Sequence, residues 1–144
     1  MKKAELEELM TYYPSNRLQS YRIVGKTFST HYSYWPETDL GKALHTKTTI
    51  ERRYEINGKP RSIKVVKYER KYGIRSNLTR YLSYVKVERD QFLEETTFSE
   101  CCGKPLSIVE TIKDPTGRRP TSVRQKTFKY DNKSRPIEVI HPDS

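Results

Sequence analysis

Between residues 52 and 81 the chain interleaves cations with aromatic rings: Arg52-Arg53-Tyr54, Lys64, Lys67-Tyr68, Arg70-Lys71-Tyr72, Arg75 and Arg80-Tyr81. Guanidinium and ammonium groups neutralise phosphates, and tyrosine faces stack on bases, so this pattern suits binding to nucleic acid. The candidate contacts are Arg52, Arg53, Lys64, Lys67, Tyr68, Arg70, Lys71, Tyr72, Arg75 and Arg80. On a strand, neighbouring residues point to opposite faces, so Arg53 and Tyr54 cannot share one side. Such a stripe is divided between two faces.

Catalytic chemistry finds less support. A structural zinc site needs four Cys or His ligands, and His31, His45, His141, Cys101 and Cys102 show no paired spacing. Gly25-Lys26-Thr27 has no upstream glycine and opens no helix, so it makes a turn and not a phosphate cradle. His31-Tyr-Ser33 resembles half of the His-x-Ser/Thr pair of two-histidine phosphoesterases, but no second copy follows. A metal-dependent nuclease needs an acidic pair with a spaced lysine, and Asp39 with the Glu55–Lys59 stretch does not provide it. The expectation is a protein that is not an enzyme, with no cofactor and no metal.

Charge narrows the partner class. The net charge is +10, and residues 47–90 carry 13 basic and 5 acidic side chains. So concentrated a field favours a polyanion, DNA or RNA, or an acidic protein surface. Leu, Ile, Val and Phe make up only about a fifth of the residues, mean hydropathy is −0.92, and eleven tyrosines must supply much of the packed surface. Tyrosine packs its ring while its hydroxyl keeps a polar partner, which suits a thin sheet or an interface. Self-association is therefore a further expectation. No apolar run approaches the roughly 20 residues that span a bilayer, and Met1-Lys2-Lys3 leads into Glu5, Glu7 and Glu8, so no membrane contact is expected. The neighbouring Cys101 and Cys102 offer no disulfide framework, which points to a cytoplasmic protein.

The elements that carry these residues follow from turn chemistry. Glu55-Ile-Asn-Gly58-Lys-Pro60, Glu100-Cys-Cys-Gly103-Lys-Pro105, Asp114-Pro-Thr-Gly117-Arg-Arg-Pro120 and Asp131-Asn-Lys-Ser134-Arg-Pro136 repeat one device. An acid caps the turn, Gly or Ser takes positive φ, a base points outward, and proline marks the first residue of a strand or an exposed edge. Weaker versions are expected at Tyr68-Glu-Arg-Lys-Tyr-Gly73 and at Glu88-Arg-Asp-Gln91. A spacing of about fifteen residues is strand plus turn.

Tyr130-Asp-Asn-Lys-Ser-Arg135 and Tyr54-Glu-Ile-Asn-Gly-Lys59 resemble the Tyr-Asp-x-x-Gly-Arg hairpin of YD repeats, the units of RHS-type shell proteins. Ser134 replaces the glycine of that pattern, and the other two copies lack the tyrosine. The resemblance implies antiparallel β-structure and brings no catalytic residue.

The expected fold is mainly β, an antiparallel meander of hairpins forming a curved sheet, a sandwich or a partly open barrel, with one short N-terminal helix. Residues 1–144 form a single domain, with helix plus hairpin in 1–46 and the meander in 47–144. The helix is expected at residues 3–11, where Leu6, Leu9 and Met10 share a face and Pro14 ends it. A hairpin turns at Gly25-Lys26, with Phe28, Tyr32 and Tyr34 alternating along its second arm. Residues 35–44 read as a loop or one helical turn, and Lys47–Ile56 as the clearest strand. Residues 78–93 fit both a helical face and strands, and Val85 and Val87 favour strands. Three functions fit this frame: a basic binding module for nucleic acid or a nucleic-acid complex, a protein-binding inhibitor or adaptor that blocks nucleic-acid machinery, and a self-associating structural module.

Overall fold

The computed structural model describes residues 7–38 and 41–141, and for Ile63 the backbone alone. Ten strands follow one another: β1 (Glu8–Tyr12), β2 (Leu18–Ile23), β3 (Phe28–Trp35), β4 (His45–Ile56), β5 (Lys59–Ile74), β6 (Arg80–Arg89), β7 (Phe92–Phe98), β8 (Pro105–Ile112), β9 (Ser122–Tyr130) and β10 (Pro136–Ile140). They form one sheet in chain order, every neighbouring pair antiparallel. The sheet is an open meander, not a barrel.

The four repeated turns all lie at hairpin links, as their chemistry predicts, but they differ in backbone. Asn57 and Gly58, both at positive φ, form a two-residue loop closed by Ile56 and Lys59, the pattern of a type I′ turn. In the last hairpin the Ser134 amide bonds to the Asp131 carbonyl at 3.0 Å and the Asp131 amide to the Arg135 carbonyl at 2.9 Å. Ser134 takes φ of 62° there, which produces a bulged loop. Tyr13–Arg17 and Arg75–Thr79 make the same pair of backbone bonds without the sequence signature, using Asn16 and Leu78 at positive φ. Pro105 and Pro136 are the first residues of β8 and β10, where a missing donor is tolerated.

Other expectations need correction. Residues 8–11 of the expected helix lie in strand β1, which pairs with β2 from Glu8 to Tyr12, and residues 3–6 lie outside the described residues. The periodicity of Leu9 and Met10 is too short to outweigh an adjacent strand edge. Around Trp35–Leu44 the described residues form bends and a cis Trp35–Pro36 bond, and residues 39–40 lie outside the described residues. Tyr68–Gly73 is the interior of β5 and not a turn; the reversal comes at Arg75–Thr79. Gly73 marks instead a close approach, since a Cβ there would lie 2.5 Å from the ring of Tyr81 directly across. The weaker turn at Glu88–Gln91 is present, with Asp90-Gln91 as the loop. Residues 80–89 and 92–98 are strands, as the β-branched residues favour. Cys101 and Cys102, read as offering no disulfide framework, are joined to each other at a hairpin tip.

The described residues form no second layer over the sheet. Among the described residues no hydrophobic side chain is buried, and Thr46 is the one buried polar residue. Cohesion comes from the backbone ladders and from contacts across strands on each face. Tyrosines serve twice: Tyr13 and Tyr130 pack their rings and donate their hydroxyls to the carbonyls of Tyr32 and Pro105, at 2.7 and 2.6 Å. Among the described residues no helix is long and apolar enough to cross a membrane.

Candidate nucleic-acid interface

Register decides which side chains share a face. Thr30, Arg52 and Lys64 are aligned across β3, β4 and β5, as are Tyr32, Ile50, Val66 and Arg89 across β3 to β6. The pairing of Arg52 with Lys64 and of Arg53 with Ser62 leaves Ile63 as an extra residue, a bulge that reverses the alternation of β5 beyond it. A second bulge lies in β6 at Ser83. With both included, one face of β3–β6 holds the rings of Phe28, Tyr32, Tyr34, Tyr54, Tyr68 and Tyr72. The same face holds Arg52, Lys59, Arg61, Lys64, Arg70, Arg80 and Arg89, and no carboxylate.

The opposite face of the same strands is of a different kind. Lys47, Arg53, Lys67, Lys71 and Lys86 alternate there with Glu51, Glu55, Glu69 and Glu88. Glu69 takes His45 Nε2 at 2.6 Å and Lys86 Nζ at 3.4 Å, and Arg53 pairs with Glu51. The His45 hydrogen bond, followed by Lys86, holds the Glu69 carboxyl below its usual range. Burial beside the Glu95 carboxylate pushes the Tyr84 phenol up. Charge on this face is internally balanced.

On the aromatic face cations rest on rings instead of carboxylates. Arg80 lies 4.0 Å from the Tyr72 centroid, Arg52 5.2 Å from Phe28, Arg70 5.5 Å from Tyr68 and Arg89 5.4 Å from Phe92. Arg17, at the edge of the same face, lies 3.9 Å from Tyr34. Such contacts leave guanidinium donors free at the rim while the ring screens one side of the plane. Arg80 also donates to the Ala43 carbonyl at 2.7 Å, which fixes its position. Beyond β3–β6 carboxylates return to this face on both sides, at Glu8 of β1, which pairs with Ile23, and at Glu94 and Glu110 of β7 and β8, which stand opposite one another.

The ten predicted contacts are therefore divided. Arg52, Lys64, Tyr68, Arg70, Tyr72 and Arg80 gather on the aromatic face, whereas Arg53, Lys67 and Lys71 lie on the balanced one. Arg75 is in the β5–β6 turn, donating to the Glu100 carbonyl at 2.9 Å and lying over Tyr81. Lys59, Arg61, Arg89 and the rings from β3 and β4 join the group without having been singled out. The alternation of Phe28, Tyr32 and Tyr34 was visible in the sequence, but matching it to Arg52 requires the β3–β4 register, and placing Arg61 requires the bulge at Ile63.

The catalytic alternative can be placed on the same map. Ser29 Oγ lies 2.9 Å from His31 Nε2 on the balanced face, with burial and then Arg53 holding the imidazole below its usual pKa. A serine–histidine pair needs a third group to orient the ring. Glu51, directly across from His31, is engaged by Arg53. No protein-family model matches the chain, and no curated protein or solved structure shows significant similarity to it.

Proposed function

We propose that this protein is a non-enzymatic binding module that engages nucleic acid through the aromatic face of β3–β6. One observation carries the reading: seven cations and six aromatic rings share that face with no carboxylate, while the carboxylates of the same strands lie on the other face. A sheet kept soluble by charge alone has no need to sort its signs by face. Cations bind phosphates, rings accept bases of any sequence, and an open single layer leaves room for an extended strand. The expected preference is for single strands, because a duplex conceals its base faces.

Anisotropy titration of a labelled single-stranded oligonucleotide against the full chain tests this, repeated across a salt series. Affinity should fall linearly on a log–log plot, by about 0.7 per phosphate contact. Absence of salt-dependent binding to DNA and RNA alike would dismiss the reading.

A second reading, a protein-binding inhibitor or adaptor, draws support from the apolar share of the same face. Ile50, Val66, Leu82, Val85 and Val87 lie among the rings without a covering layer. The field of cations would then steer the sheet onto an acidic protein. Stacking of two copies through this region would bring like charges together, which disfavours the self-associating module there.

A further inference from the structure

The strand β5 outruns its neighbour. Its pairing with β6 ends at Val66 and Arg89, yet β5 continues to Lys59 alongside β4 alone. The β6–β7 turn therefore sits beside the overhang, and between them lies a recess of about 670 Å³ whose lining includes Lys64, Arg89, Asp90, Phe92 and Ile112.

Its chemistry is unbalanced in a specific way. Lys64 stands directly opposite Arg52, and like charges facing each other across a ladder weaken a sheet. Arg89 is the diagonal neighbour of Lys64, reached through its partner Val66. Among the described residues none of the three has a carboxylate within ion-pair distance. Asp90, at the tip of the turn, adds one acceptor to the rim. Arg89 lies over the Phe92 ring at 5.4 Å, and Phe92 and Ile112 are direct cross-strand partners that give the recess an apolar wall. An anion settled between Lys64 and Arg89 would relieve the repulsion around Lys64, and a planar ring attached to that anion would reach Phe92.

We infer that this recess holds one nucleotide of a bound single strand, with its phosphate at Lys64 and Arg89 and its base against Phe92 and Ile112. The inference rests on the proposed function and adds a defined anchor to it. Elsewhere on the face a strand would lie across an open surface, whereas here it is gripped on two sides. An acidic peptide supplies the anion without the ring and is the competing occupant.

The test compares a deoxythymidine decamer with an abasic decamer of the same backbone, using the full chain and anisotropy. Wild type should prefer the decamer that carries bases. Phe92→Leu should weaken its binding roughly 5- to 150-fold with an unchanged salt slope, and Phe92→Tyr should retain affinity. Lys64→Gln combined with Arg89→Gln should lower the slope by about 0.7 for each lost phosphate contact. Equal binding of the two decamers by wild type overturns the inference whatever the variants do, as does competition by a polyglutamate peptide equal to that of the decamer. Undiminished decamer binding by a folded Phe92→Leu variant overturns the anchor while leaving the proposed face intact. Loss of all salt-dependent binding in wild type removes both.

Discussion

At the scale of single residues the turns determine how the chain reverses, and they do so with side-chain acceptors. Asp131 accepts the Lys133 and Arg135 amides at 2.9 Å each and Arg135 Nε at 2.7 Å. Asp114 accepts Thr116 Oγ1 at 2.8 Å and the Arg119 amide at 2.7 Å. The donated bonds, from Arg135 foremost in one case and Thr116 in the other, hold both carboxyls below the usual range. Positive φ is the second requirement, and here two positions should respond in opposite directions. Gly117, at φ of 70°, has no side chain to strain, and Gly117→Val should lower stability by about 1 kcal/mol or more. Leu78 occupies the same region at φ of 67° and is 84% exposed, so it bears the strain and packs against little. Leu78→Gly should raise stability by about 0.5 to 1 kcal/mol. Chemical denaturation of both variants checks the pair, and a destabilised Leu78→Gly would mean that the exposed leucine holds the hairpin by a contact.

At the scale of elements, what could be read from the sequence depended on how local the cause was. Turn chemistry is local, so the hairpin links at 55–60, 100–105, 114–120 and 131–136 were all legible. Strand alternation is local too, and β4 and the aromatic arm of β3 could be read from it. What could not be read depended on pairing. Gly73 looks like a turn glycine because glycines often are; its role appears only once Tyr81 is known to lie across from it. Likewise the division of Arg52 from Arg53 was foreseeable, but the recruitment of Arg61 was not, because a bulge at Ile63 leaves no mark in composition. The β5–β6 pair gives a test of this register. Gly73→Ala should displace the Tyr81 ring and cost about 1 to 3 kcal/mol, as overpacking does. Adding Tyr81→Ala should recover part of the loss, and a double-mutant cycle showing strict additivity would place the ring elsewhere.

At the scale of the whole molecule the outstanding property is surface. The chain exposes 11203 Å², whereas a compact monomer of 17.1 kDa exposes roughly 7,700 Å². The difference arises because ten strands lie in one layer with neither face covered. Cohesion is correspondingly distributed: among the described residues nine cations lie within about 6 Å of a ring centroid. Small-angle scattering of the monomer should give a radius of gyration clearly above the roughly 14.5 Å of a compact domain of this length. A value at the compact limit would contradict the open layer.

An open layer with sorted charges also makes the central claim accessible to one comparison. Arg52, Arg61 and Arg70 lie on the aromatic face, and Arg53, Lys67 and Lys71 on the balanced one, in the same two strands. Replacing either set by Ala removes three positive charges, so net charge and long-range steering change equally. Single-strand affinity should therefore be measured for both triple variants across a salt series. The aromatic-face variant should lose affinity and about 2 units of log–log slope, at about 0.7 per phosphate contact, while the balanced-face variant stays near wild type. Equal losses from the two variants, or a larger loss from the balanced face, would contradict the account.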